Sequence, residues 1–126
     1  MIVLDTHALL WWVSDPSRLG ANARRAITDA TQLGVPSIVF WEVALLVRKA
    51  RVDLGMSIGD WTKTVLAIPR CQPILMTPEI AVRAEALSMH ADPADRFIVA
   101  STLVHDAHLV TKDGLISEVM GLNVIW

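Results

Sequence analysis

An α/β domain built on a mostly parallel sheet is the fold class this sequence predicts, and three observations predict it. Short apolar runs alternate with segments of helical period along the whole chain. Its 126 residues are 53% apolar and 19% charged, enough for one well-filled core and too apolar for disorder. No repeat, low-complexity tract or linker interrupts the alternation, so 1–126 reads as a single domain.

Met1-Ile-Val-Leu is the first strand. Ala8 to Val13 reads as a short, nearly all-apolar helix closed by the turn residues Ser14-Asp15-Pro16. From Ala21 to Leu33, the residues Ala23, Ala26, Ile27, Ala30 and Leu33 recur at helical spacing, with Arg24, Arg25 and Asp29 off that stripe. Gly34-Val-Pro-Ser leads into a second short strand, and Ile38 to Lys49 reads as a helix. Met56 to Ile68 forms the next helix, with Trp61, Val65 and Ile68 on one face. Pro73-Ile-Leu-Met is a strand, followed by a helix from Pro78 to Met89 that turns Ile80, Ala84 and Leu87 inward. Asp92-Pro-Ala-Asp opens a helix that runs to about His105. His108-Leu-Val-Thr and Leu122-Asn-Val-Ile supply the last two strands. Five strands with these helices make a three-layer α/β/α sandwich.

Several classes are excluded at this level. No stretch approaches the ~18 to 20 unbroken apolar residues of a membrane span. The run Met1–Leu4 ends at Asp5 without a basic leader, which is not the form of a signal peptide. A lone Cys71 supports neither an internal disulfide framework nor a cysteine-rich zinc site, so a cytoplasmic location is expected. The net charge of −2 is not that of a strongly basic nucleic-acid-binding module. If four carboxylates are set aside for a metal site, however, the remaining surface turns mildly basic and can meet a phosphate backbone.

Those four carboxylates are the informative feature. Asp5 directly follows the first strand, where ligands of open α/β sheets bind; it is equally suited to cap the helix that starts near Thr6 or His7. Glu42 sits within Ile38-Val-Phe-Trp-Glu-Val-Ala-Leu-Leu-Val, and its helical neighbours Ile38, Val39, Leu45 and Leu46 include no cation. Either that helix is partly exposed, or a distant Lys or Arg pairs with Glu42, or a bound cation stabilises it. Asp92-Pro-Ala-Asp has the form of a helix start, with Asp92 as the cap and Asp95 at a position the helix dipole favours; the same placement holds Asp95 rigidly enough for a metal ligand. Asp113 follows another strand, and Asp113-Gly114 is also a standard turn pair.

One sheet edge can therefore gather Asp5, Glu42, Asp95 and Asp113. Four such groups repel one another unless a cation lies among them. All-oxygen ligation suits Mg²⁺ or Mn²⁺, whereas zinc prefers His and Cys. The chemistry that uses such a site is phosphodiester hydrolysis.

Leu4-Asp-Thr-His-Ala-Leu-Leu-Trp-Trp, Trp41-Glu-Val-Ala, Asp92-Pro-Ala-Asp-Arg-Phe-Ile-Val-Ala and Leu109-Val-Thr-Lys-Asp, in this order and spacing down to Val124-Ile-Trp, resemble the PIN-domain ribonucleases, specifically the VapC-like toxins of toxin–antitoxin modules. The resemblance spans essentially the whole chain. It implies a PIN-like three-layer α/β/α sandwich, commonly a homodimer, with Mg²⁺- or Mn²⁺-dependent endoribonuclease activity on an RNA substrate and inhibition by a cognate antitoxin protein. It further implies Asp5 and Asp95 as the principal metal ligands, Glu42 completing the acidic pocket directly or through water, and Asp113 as the fourth acid. Thr6 and Thr111 match positions of small polar residues that steady such pockets, and Asp92 is left as a cap.

Other residues have plainer expected roles. Arg24, Arg25, Arg48, Lys49, Arg51 and Lys112 either contact phosphates or form a solvated face. Arg96 is expected to pair with a neighbouring acid, or alternatively to serve a substrate. His7, His90, His105 and His108 read as structural or surface residues, with His7 worth watching for its closeness to Asp5. Leu9-Leu-Trp-Trp-Val covers nearly every side of its short helix, which suits a core contact or, in part, a dimer interface or antitoxin groove. Two rivals remain. A haloacid-dehalogenase-like phosphatase also places an Asp after its first strand, but needs a second acid where this chain has His7. A catalytically silent PIN-like module would use the acids only to bind a protein.

Overall fold

Alternation of apolar runs with amphipathic segments produces five short strands and seven helices in a computed structural model that describes residues 1–126. The strands are β1 (Ile2–Leu4), β2 (Leu33–Pro36), β3 (Cys71–Ile74), β4 (His108–Val110) and β5 (Asn123–Ile125). The helices are α1 (Thr6–Ser14), α2 (Ala21–Asp29), α3 (Ser37–Arg48), α4 (Ile58–Leu66), α5 (Pro78–Ala86), α6 (Pro93–Val104) and α7 (Gly114–Ser117), with a 3-10 turn at Pro16–Arg18.

All strand pairs are parallel, in the order β3-β2-β1-β4-β5. Neighbouring side chains of a strand point to opposite faces, and all four residues of β2 are buried, as are Val3 and Leu4 of β1. Helices must therefore cover both faces of the sheet, which gives the expected three-layer α/β/α arrangement. The chain builds outward from β1 through β2 to β3, then returns to lay β4 on the other side of β1. β1 and β4 thus flank the point where the strand order reverses, and their carboxyl ends open the crevice in which such sheets bind ligands. Register carries the two ends together: Leu4 lies opposite Val110, and the Asp5 amide donates to the Val110 carbonyl at 3.2 Å.

The core runs from Leu4, Leu9, Ile27 and Leu33 to Ile80, Ile98, Leu109 and Ile116, all fully buried. On α2 the expected stripe holds, with Ala23 and Ile27 buried and Arg24 and Arg25 exposed. Gly20 ahead of α2 permits a close approach, because a Cβ there would lie 2.6 Å from the Trp126 carbonyl carbon.

Several boundaries differ from the sequence reading. α1 starts at Thr6 because Asp5 caps it, rather than at Ala8. α2 stops at Asp29, and Leu33 belongs to β2, not to the helix. There Ala30 leaves helical geometry, and the Arg70 guanidinium donates to the carbonyls of Ile27, Thr28 and Ala30, closing the helix from a distant turn. The second strand is accordingly Leu33–Pro36 itself. β3 begins at Cys71 instead of Pro73, because its register with β2 pairs Leu33 with Cys71 and Pro36 with Ile74; Leu75 and Met76 are left exposed. Pro73 is tolerated there because β3 is an edge strand. α5 ends at Ala86, three residues short of Met89, and α7 was not expected at all.

Candidate metal centre

Each acid singled out in the sequence is held by a hydrogen bond, from a backbone amide or from a side chain, that uses only part of its carboxylate. Asp5 prolongs β1 and caps α1, its Oδ1 accepting the Ala8 amide at 2.7 Å. Asp92 caps α6 through the Ala94 amide at 3.0 Å, and Asp113 caps α7 through the amides of Leu115 at 2.8 Å and Ile116 at 3.3 Å. Glu42, in the second turn of α3, accepts a short hydrogen bond on Oε1 from the hydroxyl of buried Thr6. Asp95, in the first turn of α6, takes a 2.7 Å hydrogen bond on Oδ2 from His90 Nε2. Glu42, Asp92, Asp95 and Asp113 thus each commit one oxygen to a protein donor and keep the other free. No buried side-chain oxygen lacks a partner, so the free ones are open to a ligand.

The structure brings all four predicted acids to one cavity of about 560 Å³, lined also by Thr6, His7, Trp11, Asp92 and Lys112. Two overlapping clusters centre on Asp95. One ligating atom from each of Glu42, Asp92 and Asp95 lies within 4.8 Å of the others, and the same holds for His90, Asp95 and Asp113. Asp92 is therefore a cap and also a fifth acid of the cavity.

Burial and crowding raise the carboxyls of Asp5, Glu42 and Asp95 above their ordinary values. Burial pushes Asp5 up to about 6, against the Thr111 hydroxyl, the Ala8 amide and His7, which favour its charged form; Asp95 adds a further upward push. Burial also raises Glu42, opposed by Thr6 and assisted by the charges of Asp95 and Asp92. Asp95 is raised by burial first, with His90 opposing and Asp92 and Asp113 reinforcing the shift. No lysine or arginine forms a salt bridge with any of them; the single ion pair of the chain is His90–Asp95. An oxygen-rich, mutually repelling donor set of this kind fits a hard divalent cation such as Mg²⁺ or Mn²⁺.

The roles considered for each acid prove compatible in space. Asp5 and Asp113 are caps and cavity residues at once. Glu42 is half-buried and faces the other acids, although α3 is partly exposed at Trp41, 56% accessible. Thr6 supports Glu42 and Thr111 supports Asp5, while the Thr111 hydroxyl also accepts the Asp113 amide at 3.1 Å. Two expectations need correction. His90 is not merely structural or at the surface but touches Asp95; it stands five residues upstream in an irregular segment, a spacing with no motif to flag it. Arg96 pairs with no acid: it donates to the carbonyls of Ala84, Glu85, Leu87, Met89 and His90, because α5 ends without a backbone cap of its own.

Of the basic residues considered for phosphate contact, Lys112 alone lines the acidic cavity. Arg24, Arg25, Arg48, Lys49 and Arg51 are exposed, and Arg51 lines a neighbouring groove. That groove, about 900 Å³, lies between α1, residues 51–56 and α4, and carries Trp11, Trp12, Val13, Met56 and Trp61 on its walls. The apolar face of α1 is thus divided. Leu9 and Leu10 enter the core, while Trp11 and Trp12 are half-buried along the groove.

Residues 2–122 match the family described as PIN domain. Over 114 residues the chain is 38% identical to Ribonuclease VapC22 of Mycobacterium tuberculosis, covering 89% of this chain and 86% of that protein. Among solved structures, a VapBC2 complex of Rickettsia felis bound to a promoter DNA fragment superposes with a TM-score of 0.72 at 15% identity, covering 98% of this chain and 97% of that one. A toxin–antitoxin complex of Klebsiella pneumoniae gives 0.68 at 21% identity, covering 97% and 95%.

Proposed function

This chain belongs to the PIN-domain family, and on that premise we propose that it is a Mg²⁺- or Mn²⁺-dependent endoribonuclease, hydrolysing RNA phosphodiester bonds as the toxin of a toxin–antitoxin pair. The observation that carries this reading is the convergence of Asp5, Glu42, Asp95 and Asp113 on one cavity with no lysine or arginine paired to them. The ribonuclease name of the 38%-identical relative supports the reaction class. The whole of 1–126 acts as one catalytic domain.

Asp5 and Asp95 are the principal ligands, with Glu42 binding directly or through water and Asp113 completing the set. A bound divalent cation supplies an activated water and neutralises charge on the phosphodiester oxygens. The chain's own part is positional. Thr6 fixes the rotation of Glu42, the Ala8 amide fixes Asp5, and the α7 amides fix Asp113, so the free oxygens reach the cavity already oriented. Glu42 and Asp113 would tune the charge of the cavity where water and the phosphodiester meet. No Ser or Cys nucleophile is required, and Cys71, the lone thiol, is buried on the edge strand.

The groove beside α1 suits a segment of the cognate antitoxin, since its apolar walls adjoin the acidic cavity at His7 and Trp11. A homodimer acting in the cytoplasm is part of the same proposal. No helix is long and apolar enough to cross a membrane. The test is Asp5→Asn with an RNA substrate in Mg²⁺. Cleavage falls about 100-fold or more, corresponding to ~3 kcal/mol of barrier, and EDTA abolishes the wild-type reaction. Wild-type rates in the variant would remove Asp5 from the mechanism. Hydrolysis of a phosphomonoester in place of RNA would favour the phosphatase alternative.

A further inference from the structure

Arg96 and His90 stand outside the acid set, yet the geometry links them to it in series. The segment after α5 has no regular structure between Leu87 and Asp92, and α5 ends without a backbone cap. Arg96 fills that gap. Its Nη1 donates to the carbonyls of Ala84 at 2.9 Å, Leu87 at 3.1 Å and Glu85 at 3.4 Å, its Nη2 to Met89 at 2.7 Å, and its Nε to His90 at 3.0 Å. A guanidinium presents a rigid planar fork of donors, so five carbonyls fixed to one group leave the segment little freedom. Its last anchored residue is His90, whose ring meets Asp95 at 2.7 Å. Arg96 follows Asp95 on α6, so a single helical turn carries both the acid and the clamp that brings the imidazole to it.

We propose that His90 is a positioning residue for Asp95, held in place by Arg96, and that this chain of contacts sets the rotation of the Asp95 carboxylate so that Oδ1 is presented to the metal. The inference rests on Asp95 being a metal ligand, as in the function proposed above. Side chains 28% and 19% exposed, for His90 and Asp95, place the contact at the cavity rim, where an unanchored carboxylate would rotate freely. Outer partners of this type govern ligand orientation and are worth about 10- to 100-fold in metal affinity.

The experiment titrates Mn²⁺ into the purified full-length protein by calorimetry and measures RNA cleavage across Mn²⁺ concentrations. His90→Ala weakens Mn²⁺ binding about 10- to 100-fold, and excess Mn²⁺ restores most of kcat. His90→Gln, which keeps an N–H donor, recovers part of the affinity. Arg96→Ala weakens binding to a similar degree, and the double variant is no weaker than the worse single one, because both act through one contact. Arg96→Lys, which cannot span five carbonyls, serves the same comparison if Arg96→Ala does not fold. Nitrogen hyperfine coupling from a directly bound imidazole is absent from pulsed EPR spectra of the Mn²⁺ complex.

A wild-type protein that takes up no Mn²⁺ overturns the metal-site reading and this inference with it. Normal wild-type binding with an equally tight His90→Ala variant overturns this inference alone. So do additive losses in the double variant, or a spectrum showing His90 bound to the metal.

Discussion

Asp5 serves as a helix cap and as a candidate ligand, two roles that favour its charged form, while burial opposes that form. Its carboxyl, at about 6 against an ordinary 3.8, binds a proton more tightly in the folded chain than in the unfolded one. The fold therefore loses stability as pH rises through the interval from 3.8 to 6, by roughly 3 kcal/mol once that interval is passed. Glu42 and Asp95 are raised as well and act in the same direction. Metal-free protein should accordingly melt at a higher temperature near pH 5 than near pH 8, as measured by calorimetry in EDTA. Asp5→Asn keeps an acceptor for the Ala8 amide while removing the charge. It should raise the metal-free melting temperature at pH 7.5 by several degrees and flatten its pH dependence, in contrast to the loss of cleavage proposed for the same change. Asp5, Asp95 and Asp113 were legible because each follows a strand or begins a helix, and Glu42 because it stands among apolar neighbours with no cation beside it. The contact of His90 and the second role of Asp92 were not legible, since both depend on a loop whose path is set by hydrogen bonds rather than by periodicity.

Two helices end on arginines supplied from elsewhere, and at these ends the boundaries were misread. α2 has apolar residues at helical spacing as far as Leu33, yet it stops at Asp29 under the Arg70 guanidinium. α5 stops at Ala86 under Arg96. Neither end carries the glycine that ordinarily advertises a helix terminus, so nothing local announces it. The start of α6, in contrast, was announced by Asp92-Pro93, and Asp92 holds as its cap. Arg70 also lies 5.6 Å over the Trp12 ring, which ties the end of α2 to α1. Arg70→Ala should cost about 1.5–3 kcal/mol in urea unfolding, the range of hydrogen bonds with a charged group. Hydrogen exchange should accelerate at the amides of Thr28, Asp29 and Ala30 before it changes in the sheet. Uniform acceleration across the chain would indicate that Arg70 supports the global fold instead of one helix end.

At the scale of the molecule, the class of fold followed from alternation alone, and the parallel sheet followed from the class. Strand order did not follow, because which strand lies beside which is decided by contacts between residues far apart in sequence, and no local pattern encodes them. That order matters, since it sets β4 against β1 and so places Asp113 with Asp5 at the reversal. A cation held among the gathered acids would relieve their repulsion and so link its binding to folding. Adding Mg²⁺ should raise the melting temperature with the logarithm of its concentration, reaching about 2.7 kcal/mol at a hundredfold excess over Kd. Asp95→Asn should blunt that response, and a wild-type melt indifferent to Mg²⁺ and Mn²⁺ would contradict a shared cation site.

The insertion of β4 next to β1 also has a bearing on synthesis. While a ribosome has delivered the polypeptide only through α6, the inner flank of β1 is bare, and the last acid has yet to emerge. A chain terminated before β4 lacks both the neighbour of β1 and Asp113, so it should neither complete the sheet nor gather the four acids of the cavity.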